Sequence, residues 1–183
     1  MKTVWKIVLL VVALIVLFLI FIYSGWYNIA ATSKHTAVTL WVIETTMDHS
    51  VSNHAGGIEV PNLDDSAMIA LGFTHFDETC IDCHGAPGIG SDEFAEGLYP
   101  SAPSLADHEG DWSAAELFWI TKHGIKMTGM PAFGVTHSDD DIWAIVAFLQ
   151  KLPDLGYYGY LNMREQAEAS GESHEEDEED HEH

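Results

Sequence analysis

Cys80-Ile81-Asp82-Cys83-His84 contains the only two cysteines of the chain, and C-x-x-C-H is the pattern by which a haem is joined covalently to a polypeptide. Each thiol can add to one vinyl group of the porphyrin, and a two-residue spacer on a helical turn holds the sulfurs at the matching separation. His84, the next residue, is then placed to give an imidazole nitrogen to the iron as its first axial ligand. One haem c per chain, attached through Cys80 and Cys83, is the expectation. C-x-x-C also serves thioredoxin-like redox sites and zinc sites. The first wants a preceding β-strand, whereas the residues before Cys80 are compositionally helical. The second wants four converging ligands, so zinc would have to recruit some of the 11 histidines.

Residues 7–23 form an apolar run without a charge, bracketed by Trp5 on one side and Trp26 and Tyr27 on the other, as interfacial aromatics bracket a membrane span. From Trp5 to Trp26 a helix would rise roughly 32 Å, close to the ~30 Å hydrocarbon thickness of a bilayer. Lys2 and Lys6 precede the run, so the positive-inside rule keeps the N-terminus in the cytoplasm and sends everything after Tyr27 outside. A cleaved secretory signal shares this layout, with Ala31-Thr32-Ser33 as a weak cleavage site, but its apolar core is usually shorter. An uncleaved single-pass anchor is expected.

The net charge of −22 is uneven: residues 164–183 hold ten acids and one base. Such a balance excludes nucleic acid as a partner, because its phosphates would be repelled, and calls for a basic or neutral docking face on any soluble redox partner. The chain divides into a cytoplasmic N-terminus (1–6), a transmembrane anchor (7–27), a membrane-proximal helix and linker (28–62), a haem-bearing domain (63–155) and a tail (156–183). In the linker, Thr36 caps a helix that stops before Gly56-Gly57, and His35, His49 and His54 read as surface or packing residues. Asp64-Asp65 open a helix through Phe76. Gly85-Ala86-Pro87-Gly88-Ile89-Gly90 is loop, and residues 98–105, with Pro100 and Pro103, make an extended crossing. Ser113 and Glu116 form a capping box for a helix ending at Gly124. Ser138 and Asp141 form another, for a helix through Leu152 that Pro153 terminates. From Glu165 onward apolar residues are almost absent, and disorder is expected. His174, His181 and His183 make this a solvated acidic tail or, alternatively, a metal-collecting one.

The sixth coordination position decides between a carrier and an enzyme or sensor. In Lys126-Met127-Thr128-Gly129-Met130-Pro131, Met130 is the better ligand, because Gly129 allows close backbone approach and Pro131 stiffens the loop. Met127 is its rival, and His123 and His137 are weaker ones. A thioether opposite an imidazole raises the potential and leaves little room for substrate.

With these residues in view the chain resembles the class I c-type cytochromes, in particular small membrane-anchored monohaem cytochromes of bacteria. The likeness rests on Cys80-x-x-Cys83-His84 with Gly85-Ala86-Pro87-Gly88, on Pro103-x-Leu105 and on Thr128-Gly129-Met130-Pro131, and covers about residues 63–155. It implies an all-α fold, with the Pro87 carbonyl orienting His84 and with Tyr99, Trp112 or Trp119 lining the haem pocket. It also implies a first helix that crosses the last through Gly72 and Phe76, near Trp143. The haem is attached in such proteins on the outer side of the bacterial plasma membrane, the side to which the lysines send this domain. The expected function is a periplasmic-facing electron carrier, not an enzyme, cycling Fe(III)/Fe(II) between respiratory or dehydrogenase partners. A peroxidase-like enzyme, with His123 as acid–base group, or an electron-accepting dehydrogenase subunit is the alternative.

Overall fold

A computed structural model describes residues 1–107 and 112–179, with backbone alone over 170–179. Helix is the only regular secondary structure among the described residues, without a strand, and the chain forms two compact units, Met1–His35 and Thr36–His183. The all-α expectation holds.

The first unit is dominated by α1 (Lys2–Tyr23), which is long and apolar enough to cross a membrane and has no buried residue. At 1.5 Å per residue it rises about 33 Å. It ends one turn earlier than the aromatic bracket suggests, because Gly25 adopts φ +67° and turns the chain. Trp26 and Tyr27 therefore lie beyond the helix, with the Tyr27 hydroxyl 3.2 Å from His35 Nδ1.

The second unit is built from α2 (Ala37–Ala55), α3 (Ser66–Thr79), α4 (Ile81–His84), α5 (Ala114–His123), α6 (Asp139–Leu149) and α7 (Tyr157–Glu179). Each longer helix up to α6 begins at a local chemical signal. Thr36 Oγ1 accepts the Thr39 N–H, Asp65 Oδ1 accepts the Ala67 N–H at 2.8 Å, and Ser113 and Ser138 each complete a reciprocal box with Glu116 and Asp141. These bonds satisfy amide hydrogens that have no partner within the first helical turn. The last of these helices stops at Leu149, short of Leu152, which starts a 3-10 turn carrying Pro153.

The α3–α6 crossing sets the frame. Gly72 lies so close to α6 that a Cβ built on it would be 1.9 Å from the Ala144 carbonyl oxygen. The small residue thus meets Ala144 backbone, one position beyond Trp143, whose indole stacks instead on Phe118 of α5 at 4.2 Å. Phe73 and Phe76, one turn apart on α3, pack against Phe148 of α6 and Tyr160 of α7. Cys80 and Ile81 belong to the same buried cluster, so the turn that carries both cysteines is rooted in the core.

The domain does not end at 155. Where composition suggests disorder, residues 157–179 form one helix, and its first turns close the core: Tyr160 is fully buried, and Met163 and Ala167 pack against the same cluster. Asp77 of α3 binds this helix by accepting from the Tyr160 hydroxyl at 2.6 Å and from the Arg164 guanidinium, with Nε 3.0 Å from Oδ2. Burial, followed by the bond to Asp77, pushes the Tyr160 hydroxyl far above its ordinary range, so it remains a donor. Tyr160→Phe removes one hydrogen bond to a charged acceptor that keeps its arginine, which corresponds to a loss of about 1–2 kcal/mol. Urea unfolding of the haem-loaded protein should show that loss; an unchanged midpoint would mean that the hydroxyl contributes nothing. His181 and His183 lie outside the described residues, as does the His174 side chain.

Candidate haem centre

Both cysteines and His84 sit on a single turn. The Cys80 N–H closes α3 by donating to Phe76 at 2.9 Å, and the Cys80 carbonyl then accepts from Cys83 at 3.2 Å and from His84 at 2.9 Å. Gly85, at φ +65°, ends the turn; a Cβ there would be 2.6 Å from the Ile89 carbonyl oxygen. The chain reverses through paired Ala86 and Ile89 backbone bonds, and Asp92 N–H ties the return to Asp82. Both thiols are free, Cys80 buried and Cys83 half-buried. Burial raises the affinity of each for its proton, assisted at Cys83 by the charges of Asp82 and Asp92. A redox-active dithiol works through a thiol of lowered pKa, and neither cysteine has that character. Among the described residues no three His, Cys, Asp or Glu side chains converge as metal ligands.

His84 Nδ1 lies 2.8 Å from the Pro103 carbonyl oxygen. A carbonyl can only accept, so this nitrogen carries the proton and Nε2 keeps its lone pair. Burial lowers the His84 pKa and the Pro103 bond offsets part of that; the net direction favours the neutral ring that a metal requires. The orienting carbonyl is therefore Pro103, not Pro87. Pro87 is taken up in the tight Ala86–Ile89 reversal, while the crossing that contains Pro103 returns 19 residues later to meet the imidazole.

The methionine loop is equally constrained. α5 ends at Gly124, where φ is +64° and a Cβ would come within 2.7 Å of the Met130 and Pro131 carbonyl oxygens. Thr128 Oγ1 donates to the Ile125 carbonyl at 2.7 Å and accepts the Met130 N–H at 3.1 Å; Met130 O accepts from Ile125 N–H. Met130 is held on both sides of its peptide. Met127, by contrast, has φ +64° and is 92% exposed. His123 lies against Trp119, and His137 is engaged by Thr136 Oγ1 at 2.8 Å and by the His75 ring. Of the four candidate ligands, Met130 and His137 are half-buried; the loop's hydrogen bonds hold the Met130 peptide, whereas the His137 ring is engaged by Thr136 and His75.

Residues 98–103 link the two halves of the centre. At one end Leu98 packs where a Gly129 Cβ would fall, 2.9 Å from its Cδ2, and at the other Pro103 bonds His84. Neither role is visible in composition; the only local sign is the spacing of Pro100 and Pro103. Tyr99 and Trp112 are half-buried, and Trp119 lies between His54 at 5.3 Å and His123 at 5.1 Å, on the side of α5 that faces α2.

The residues fit a covalently bound haem: two protonated thiols on one turn, an imidazole of set tautomer and a thioether in a fixed loop. Residues 67–149, somewhat less than half of the chain, match the family model described as cytochrome c oxidase, cbb3-type, subunit III. The match supports a c-type cytochrome domain over this stretch and, with it, a haem-based electron-transfer role. No curated protein and no solved structure matches the chain.

Proposed function

We propose that the chain is a single-pass, membrane-anchored monohaem cytochrome that carries single electrons to or from a respiratory complex on the outer face of the bacterial inner membrane. Cys80 and Cys83 would hold the haem covalently, and His84 Nε2 and Met130 Sδ would ligate its iron. The haem so held supplies one-electron Fe(III)/Fe(II) exchange. The chain's own contribution is rigidity. Pro103 keeps the proton on His84 Nδ1, Thr128 fixes the Met130 peptide, and Gly85 and Gly124 end the two helices so that both loops turn back onto the domain. Residues held this firmly would limit the reorganisation that accompanies electron exchange at a bound haem.

The His84–Pro103 bond carries the reading, because it leaves a metal-ready nitrogen on a turn that bears two thiols. The location is supported by α1 with Lys2 and Lys6 before it. A respiratory partner is supported by the description of the matching family, and the net charge of −22 favours a partner with a basic docking face. Tethering confines the domain to the membrane plane and raises its effective concentration near membrane-bound partners. Purification from membranes tests this. The pigment should stay with the polypeptide in acidified acetone, and the reduced protein should be low-spin and fail to bind carbon monoxide. Extractable pigment would overturn covalent attachment, and rapid peroxide turnover would make the chain an enzyme.

A further inference from the structure

The two halves of α2 differ in surroundings. Its C-terminal half is docked: Val51 and Ala55 are buried, Ser52 Oγ donates to Glu116 of α5, and His54 stacks on Trp119. Its first two turns stand clear of the domain, with Val38 71% and Trp41 65% exposed and Leu40, Val42 and Ile43 exposed as well. At 100° per residue these five positions are spread around the helix rather than along one stripe. A partner groove covers one side of a helix; an apolar end with no polar side suits immersion in a fluid apolar phase.

Three further observations say which phase. Residues 37–43 carry no charge, as residues 7–23 of α1 carry none. Only residues 24–36 separate α1 from α2, a connection that spans at most about 45 Å even when fully extended. Between Lys6 and Lys122 the only lysine or arginine is Lys34, two residues before the Thr36 cap, where an ammonium can meet headgroup phosphate while the indole of Trp41 takes the aromatic position of an interfacial anchor. We infer that the N-terminal half of α2, led by Val38, Trp41 and Val42, is a second membrane contact that inserts into the lipid–water interface of the bilayer crossed by α1. The inference rests on α1 being a membrane anchor. Its consequence is a haem domain tied to the membrane by an inserted helix end as well as by the connection through residues 24–36.

The test uses the full-length, haem-loaded protein in nanodiscs of phosphatidylcholine and phosphatidylglycerol, with the photoreactive residue p-benzoylphenylalanine placed singly at Leu14, Val38, Trp41 or Glu93. Irradiation should give lipid adducts at Leu14 and at Val38 or Trp41, and none at Glu93. Lipid adducts at Leu14 with silence at both α2 positions overturn the inference and leave the anchor intact. Cross-links from α2 to a second copy of the chain, or equal lipid labelling at Glu93, overturn it too. Silence at Leu14 and at both α2 positions means that the anchor reading has failed and the inference with it.

Discussion

Gly72→Ala is expected to destabilise the haem domain by about 3 kcal/mol or more, at the upper end of what overpacking a core produces. The added methyl carbon would sit 1.9 Å from the Ala144 carbonyl oxygen and 2.4 Å from its carbon. These are backbone atoms of α6, so no side chain can swing aside, and the two helices must separate. Alanine favours a helix interior over glycine by about 1 kcal/mol, which is too small to offset the clash. Against a total stability of about 5–15 kcal/mol the loss is large. It also reaches the candidate haem centre, because Phe76 on the same helix and Cys80 at its C-terminal cap share the core that the crossing seals. Urea midpoints should fall and less haem-loaded protein should accumulate in membranes. Gly90→Ala, where a Cβ meets nothing within 4 Å, is the control. If Gly72→Ala unfolds at the wild-type midpoint, the close α3–α6 approach is absent in solution.

What could be read from residues alone divides along a physical line. Helix starts at Asp65, Ser113 and Ser138 were legible because a cap is a bond between residues two or three apart, and the haem turn was legible because its chemistry fits within five residues. That Pro103 rather than Pro87 accepts from His84 is not legible locally, because the bond joins residues 19 apart in sequence and the residues alone do not tell which proline the chain brings back. The close approach at Gly72 was foreseen, but its partner was displaced from Trp143 to Ala144, since helix register at a crossing is set by packing on both sides. The loss of α7 has a different cause. Acids dominate the segment from Glu165 onward, and they hid Tyr160, Met163, Arg164 and Ala167, whose i, i+3, i+4, i+7 spacing is that of a core-facing stripe. Arg164 belongs in that stripe because Asp77 neutralises it and its guanidinium lies over the Tyr160 ring. The signal was present, and net charge outweighed it.

Met130→Ala should convert the reduced protein from one that ignores carbon monoxide to one that binds it, with the low-spin spectrum lost. The potential should fall by on the order of 0.1 V, within the ~0.8 V range that axial ligands can set. A thioether favours the ferrous state, so its removal leaves an iron held by His84 alone and easier to oxidise. Replacement by another side chain of the same loop is opposed by the structure. Met127 points to solvent from a left-handed backbone position, and Thr128, which could bring it inward, has its hydroxyl committed to Ile125 and Met130. His123 and His137 are engaged with Trp119 and Thr136. Met127→Ala is therefore the paired variant, expected to keep wild-type spectrum and potential. The fold should survive both changes, since Met130 lies outside the two buried clusters that hold the helices together. If Met127→Ala opened the iron to carbon monoxide and Met130→Ala did not, the ligand would be Met127 and the loop would have to invert on taking up haem. If neither did, the sixth ligand would come from another part of the chain, and the case for a fixed-ligand electron carrier would have to be rebuilt around that residue.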